Sequence, residues 1–314
     1  MGIPRLNRLL RNKVSDRSIR LAPLNHLRGT RIVVDSSIYL YKYLAEGCLV
    51  ENLYTLAMKL RSFRIAAVFV FDGKPPEEKR EEIIRRFERK SKCEEQYDAL
   101  RSRFEAADPG PDKHRMKFEL EKLKRQFVRL STADISLAKE LLISCGHQVA
   151  DAPGESDAMC ARMVQLGIAD ACLSEDTDMF PFGCPVVLRN LSLADSTVLI
   201  FDLKSILIDL GLSFNEFQEV CVTSGCDYNL TSSRSISDTI RLMKDYKARD
   251  VKCSFLDWVS ASAQNVSDSQ VARRALALFD TSDVVVPETV VSLRDVDVPR
   301  LTDVLENNGF LFAD

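Results

Sequence analysis

The chain has 314 residues, 46% of them hydrophobic and 28% charged, with a formal net charge of −3; this is an ordinary globular balance, sized for one large domain or two small ones. No apolar run is long enough to span a bilayer, and the first residues are polar and basic from Arg5 onward, so an intracellular, unanchored protein is expected. Nine cysteines without a CxxC pair and three scattered histidines argue against a disulfide framework, a zinc site or a histidine-based metal centre.

Residues 1–31 open the chain with Arg5, Arg8, Arg11, Lys13, Arg17, Arg20, Arg28 and Arg31 against a single acid, Asp16. Such a strip can meet a phosphate backbone, and on charge alone it fits a solvated basic surface equally well. Buried strands are predicted at Arg31–Asp35 and Ala66–Asp72, and weaker ones at 147–151, 169–174, 185–189 and 197–202. Helical patterns fill about 36–45, 50–64, 132–145, 155–166 and 213–224. This alternation predicts an α/β fold: a mostly parallel central sheet with helices on both faces. Between about 77 and 130 the composition turns dense in Lys, Arg and Glu, broken at Asp108-Pro109-Gly110-Pro111-Asp112. It reads as two long charged helices joined by a turn and projecting from the body. The core, residues 1–228, thus divides into blocks 1–76, 77–130 and 131–228. Residues 229–314 form a small, mainly helical C-terminal region with segments at 236–247, 252–264 and 268–280; the strip 283–287 and the tail 299–314 show no clear architecture.

The chemical signal lies in acids at strand ends, because ligand sites of parallel α/β sheets form outside the carboxyl ends of the strands. Asp35 and Asp72 end strands, and Asp176 and Asp178 follow another. Glu155 and Asp157 open a helix after Ala152-Pro153-Gly154, and Asp227 follows Ser224-Gly225-Cys226. A single acid at a strand end is more often a helix N-cap than a ligand. Seven carboxylates in one crevice repel one another, and divalent cations remove that cost. Oxygen-only ligation selects Mg²⁺, with Mn²⁺ as a substitute, over zinc. Two ions about 4 Å apart suit in-line displacement at phosphorus, so the reaction class is phosphodiester hydrolysis.

These blocks resemble the XPG family of structure-specific 5′ nucleases, the flap endonucleases among them. The resemblance is carried by Met1-Gly2-Ile3, Ile32-Val33-Val34-Asp35-Ser36-Ser37, Val70-Phe71-Asp72-Gly73-Lys74-Pro75-Pro76, Ala152-Pro153-Gly154-Glu155-Ser156-Asp157-Ala158, Ser174-Glu175-Asp176-Thr177-Asp178 and Gly225-Cys226-Asp227-Tyr228. It spans about residues 1–228. It implies a PIN-like core and two-metal hydrolysis of branched or flapped DNA in replication, repair or recombination. The metal-site acids would be Asp35, Asp72, Glu155, Asp157, Asp176, Asp178 and Asp227, with Asp157 shorter than the family's usual Glu. Lys79 and Arg86 match the basic pair of the first arch helix, seven positions apart on one helix face, and would act on the scissile phosphate. Tyr41 matches an aromatic that stacks a terminal base, although its sequence context fits a core residue as well. Gly2 matches a terminus near the DNA junction, and the charged segment 77–130 matches an arch and cap. By family the location is nuclear.

Departures follow. After the Gly-x-Asp-Tyr block the family carries a glycine-rich hairpin that grips duplex and can hold potassium. Here Asn229-Leu230-Thr231-Ser232-Ser233-Arg234-Ser235-Ile236 has no glycine. No sliding-clamp motif and no basic tail is found. These reductions resemble divergent nucleases of large DNA viruses, which would place the protein in host cytoplasm. A Holliday-junction-resolving or purely exonucleolytic enzyme, an RNA-directed nuclease and a catalytically silent DNA-binding scaffold are the competing readings.

Overall fold

The computed structural model describes residues 2–108, 110–230, 234–249, 252–262, 269–287 and 290–310. Met1, Pro109, Thr231–Ser233, positions 263–264 and 268 of the expected C-terminal helices and the tail from 311 lie outside them. In chain order the first half runs α1 (Leu6–Lys13), β1 (Ile19–Pro23), β2 (Arg31–Asp35), α2 (Ser36–Glu46), α3 (Leu49–Ser62), β3 (Ala66–Phe71), α4 (Arg80–Ala106), α5 (Pro111–Lys124), α6 (Thr132–Ser144) and β4 (Gln148–Asp151). The second half runs α7 (Ser156–Gln165), β5 (Ala171–Leu173), β6 (Val186–Ser192), β7 (Thr197–Asp202), α8 (Leu203–Leu210), α9 (Phe214–Ser224), α10 (Ile236–Lys247), α11 (Phe255–Ser262), α12 (Ser269–Leu278) and α13 (Val298–Asn307).

The seven strands among the described residues form one sheet, in the order β1-β7-β6-β5-β2-β3-β4. The four pairings from β4 to β6 are parallel, whereas β7 runs antiparallel to both β6 and β1. The sheet is therefore mixed, its parallel part closed at one edge by an antiparallel pair. Residue alternation along the strands divides the core in two. Val33, Val68, Val70, Cys172 and Phe201 face α1 and the α7–α12 side. Ile32, Val34, Phe69, Phe71 and Leu173 face α2, α3, α6 and α13.

The order fixes where a site can form. From β2 the chain steps outward to β3 and β4, then crosses back to β5 on the other side of β2. That reversal opens a crevice at the carboxyl ends of β2 and β5, where Asp35 and Ser174 stand. Local chemistry anchors the surrounding helices. Ser131 with Asp134 and Ser213 with Glu216 form capping boxes that start α6 and α9, each satisfying donors that the first helical turn leaves free.

Among the described residues, the α-helices and strands not foreseen are α1, β1, α8 and α13. The tail expected to lack architecture carries α13, whose Asp297 accepts from the Arg300 N–H at its start and whose Leu301, Val304 and Leu305 are buried against the α6 side. The charged segment does form a long helical pair. Helix α4 runs 27 residues and α5 runs 14. Helix α4 is also tied to the segment that follows α5, by Glu94–Arg129 at 2.7 Å, Lys90 Nζ donating to the Val128 carbonyl at 2.9 Å, and the edge-on Tyr97 and Phe127 rings.

Candidate active site

Asp35 is the best-held acid. It ends β2, is 3% exposed, and accepts hydrogen bonds from the Ser156 hydroxyl at 3.0 Å and the Ser174 hydroxyl at 2.9 Å. Burial, then the neighbouring Asp72, push its carboxyl up to about 7 against the pull of those hydroxyls. Asp72, past the end of β3, accepts the Ser156 backbone N–H at 2.8 Å. The start of α7 is thus tied to both strand ends.

Asp176 and Asp178 lie in the turn after β5, and the Asp178 N–H donates to Asp176 Oδ1 at 3.0 Å. Asp157 in the first turn of α7 is buried beside them. Burial first, and neighbouring carboxylates second, raise Asp157 and Asp178 well above the ordinary aspartate range. One oxygen of each, Asp157 Oδ1 and Asp178 Oδ1, is buried with no hydrogen-bond partner. Glu155 is held from two sides, by Lys79 and by the Tyr228 hydroxyl, which donates at 2.6 Å. Asp227, in the turn after α9, meets Arg86 and lies 3.5 Å from Lys79 Nζ.

All seven acids singled out in the sequence therefore gather at one end of the sheet. Among the described residues no three of them close tightly enough to enclose an ion as they stand. Lys79 and Arg86 reach in from the base of α4 and neutralise part of the cluster. Burial works against the Lys79 charge, but Glu155, Asp157 and Asp227 outweigh it and hold the ammonium above its usual value. The donor set fits a hard divalent ion: carboxylate oxygens only, two of them buried and unpartnered, in a cluster whose mutual repulsion needs positive charge.

Gly2 touches this cluster. Its φ is +77°, and a Cβ there would lie 2.3 Å from Asp176 Oδ1 and 2.7 Å from Asp178 Oδ1, so only glycine fits. Tyr41 on α2 is exposed rather than core, with Lys90 Nζ 4.7 Å above its ring. Arg5, Arg8 and Arg11 are exposed at the start of the chain and along α1, outside the cluster. Between the base of α4 and the turn after α9 lies a 550 Å³ cavity reached by Gly2, Arg85, Arg86, Arg89 and Asp227.

Several supporting side chains had no signal of their own in the sequence. Glu82, 8% exposed, accepts from Arg86 at 2.8 Å and Arg89 at 3.0 Å and so aims both guanidinium groups. Arg189 on β6, 2% exposed, donates to the Glu175 carbonyl and to Asn7, pinning the acidic turn to α1; burial lowers its pKa. Ser156, Ser174 and Tyr228 each adjoin an acid in the recognised blocks, which is the one trace of them a reader of the chain could use.

Comparison with known proteins places these features. The XPG N-terminal domain matches residues 1–93 and the XPG I-region matches residues 146–227. Flap endonuclease 1 of Drosophila grimshawi is 31% identical over 310 residues, which is 92% of this chain and 76% of that protein. Among solved structures, the catalytic core of Rad2 in complex with DNA substrate aligns with TM-score 0.70 at 21% identity, covering 98% of this chain and 94% of that one. The flap endonuclease-1 from Methanococcus jannaschii aligns with TM-score 0.65 at 19% identity, covering 92% and 90%. At such identities these two likenesses speak for the fold. No helix among the described residues is long and apolar enough to cross a membrane.

Proposed function

The chain belongs to the XPG family of structure-specific nucleases, and from that premise we propose that it is a 5′ flap endonuclease, with 5′ exonuclease activity, that hydrolyses DNA phosphodiester bonds with Mg²⁺ in DNA processing. The observation that carries this reading is the gathering of seven carboxylates beneath two arch cations. Asp35, Asp72, Glu155, Asp157, Asp176, Asp178 and Asp227 would hold the metal directly or through water. When bound, a pair of divalent ions supplies an activated water and a counter-charge for the leaving oxygen.

The chain's own residues do the rest. Lys79 and Arg86, now paired with Glu155 and Asp227, exchange those partners for the non-bridging oxygens of the scissile phosphate and stabilise the charge that builds there. Glu82 keeps Arg86 pointed at the cluster throughout, and Tyr228 holds Glu155 in place as Lys79 leaves it. Tyr41 offers a face to an unpaired base once Lys90 swings off it. Gly2, lacking a side chain, lets the start of the chain pack directly against Asp176 and Asp178. We read the ordered pair α4–α5 as an arch under which a single strand passes, a reading that favours the flap over junction resolution.

The test is cleavage of labelled 5′-flap, nicked, Holliday-junction and RNA-flap substrates with Mg²⁺ and with EDTA. Cleavage of the 5′ flap, lost in EDTA, is expected. Absence of metal-dependent cutting on every substrate would leave the scaffold reading instead.

A further inference from the structure

The turn that carries Asp176 and Asp178 is held by two other parts of the chain. The first is the start of the chain: Gly2 lies against both carboxylates, and the Thr177 hydroxyl donates to the Ile3 carbonyl at 3.4 Å. The second is Arg189 on β6. Its guanidinium donates to the Glu175 carbonyl and to the Asn7 side chain of α1, and its Nε lies 3.9 Å from the Glu175 carboxylate. That carboxylate also accepts the Asn190 N–H at 2.6 Å. The ring centres of Phe180 and Phe201 stand 5.9 and 5.5 Å from the guanidinium carbon. Among the described residues Arg189 makes no ion pair with any of the seven acids, and at 2% exposed it is out of a substrate's reach.

We propose that Arg189 is a positioning residue for divalent-metal uptake: by gripping Glu175 and Asn7 together it keeps Asp176 and Asp178 set against the rest of the cluster. The proposal rests on the metal-dependent nuclease reading of that cluster. A cation so deeply buried loses its hydration, and its Nε has no hydrogen-bond partner; apolar groups in such a place are often neutral or stabilising for a fold. The planar fork offers what neither an apolar side chain nor a lysine has, two donors with fixed directions aimed at two acceptors. One acceptor is the carbonyl of the peptide that leads into Asp176, so the fork sets the course of the turn as it leaves β5. The other is on α1, so the turn and the start of the chain, with Gly2, move as one body. The acids repel one another, and a turn without this tie yields to the repulsion. Groups that orient metal ligands without touching the ion change its affinity by about tenfold to a hundredfold.

Mn²⁺ uptake by the DNA-free protein, read from the paramagnetic resonance signal of the free ion, reports on the site without any cutting. Arg189→Met removes both fork and charge, Arg189→Lys keeps the charge and loses the fork, and Asn7→Ala frees the arm on α1. Arg189→Met and Arg189→Lys should each weaken Mn²⁺ binding about tenfold or more, and Asn7→Ala should weaken it less. All three should bind 5′-flap DNA in EDTA as wild type does. Raising Mn²⁺ should return most of the cleavage rate to Arg189→Lys, a recovery that a defect in the catalytic groups would not show. Arg31→Met, which breaks the exposed pair with Asp170 at the start of β2, should take up Mn²⁺ as wild type. Near-ultraviolet circular dichroism in EDTA identifies the variants that are folded. Wild-type Mn²⁺ affinity in a folded Arg189→Met or Arg189→Lys would overturn the assignment, and so would a loss of flap binding in EDTA as large as the loss of Mn²⁺ binding. Should neither Arg189 variant fold, Asn7→Ala decides: unchanged Mn²⁺ affinity there overturns the assignment. Wild-type protein that takes up no Mn²⁺ would instead sink the metal reading beneath it.

Discussion

Lys79 sits where two demands on charge meet. In the free protein its ammonium neutralises Glu155 and Asp227, and in the proposed reaction it serves the phosphate. Lys79→Ala should therefore lower kcat by about 10²–10³, the usual loss for one donor aimed at developing charge, with a smaller change in KM; single-turnover cleavage of a 5′ flap checks the split. An effect on KM alone would make Lys79 a docking residue. At this scale the sequence was informative about the acids and poor about their keepers. One acid at a strand end passes for a helix cap, but seven at strand and helix ends are costly enough to be noticed as a set. By contrast, Glu82 is one of many glutamates in a charged run, and only the fold turns it inward toward Arg86 and Arg89. Arg189 is read from sequence as a strand residue, since nothing local says that it will be buried under the acidic turn. For Tyr41 the sequence left core and stacking surface equally open; Tyr39 and Tyr43 take the buried face of α2 and leave Tyr41 outside.

Elements set the distances among these side chains. Gly73 joins the ends of β3 and β4: its N–H donates to the Gly154 carbonyl at 2.7 Å, and a Cβ would stand 2.1 Å from the Ala152 carbonyl oxygen. Gly73→Ala should push the Asp72 and Glu155 segments apart. A stability loss of about 1–3 kcal/mol is expected together with a much larger fall in activity, and urea melts beside flap cleavage would show both. His147, at the entry to β4, is a pH-sensitive joint of the same layer. It is 1% exposed, lies edge-on to Phe69 and bonds the Ala57 carbonyl at 2.9 Å, and burial lowers its pKa below 6.5. A depressed folded value means that its contribution is present above about 6.5 and is lost as pH falls through that range. The urea midpoint should drop from pH 7.5 toward 5.5, and His147→Gln should flatten that drop. Long elements with full hydrophobic periodicity were legible in the chain. The missed ones are short or depend on distant partners: β1 is five residues, mostly exposed, and exists by pairing with β7, and α13 follows an irregular stretch and gains its buried face from α6.

Taken whole, the molecule stores unfavourable electrostatics at one end of an otherwise well-packed sheet. A divalent ion that binds only the folded form should raise stability by about 2.7 kcal/mol at a hundredfold excess over Kd. Thermal melts with Mg²⁺ against EDTA would measure it, and Asp178→Asn should melt higher than wild type in EDTA while losing the response to metal. Equal melting of wild type with and without metal would contradict this account. The strand order carries one more consequence, for the making of the protein rather than its action. The acids are spread from Asp35 to Asp227, and Asp35 is held by hydroxyls from Ser156 and Ser174, on segments that follow it by more than a hundred positions. At ribosomal speeds the first acid waits roughly ten to forty seconds for the last. During that interval β2 and β3 can pair, but the crossover back to β5 has not been made and no reaction centre exists. On the proposed function, a chain that stalls or is clipped before the turn after α9 should therefore leave nearby DNA uncut, cutting power arriving only with the finished fold.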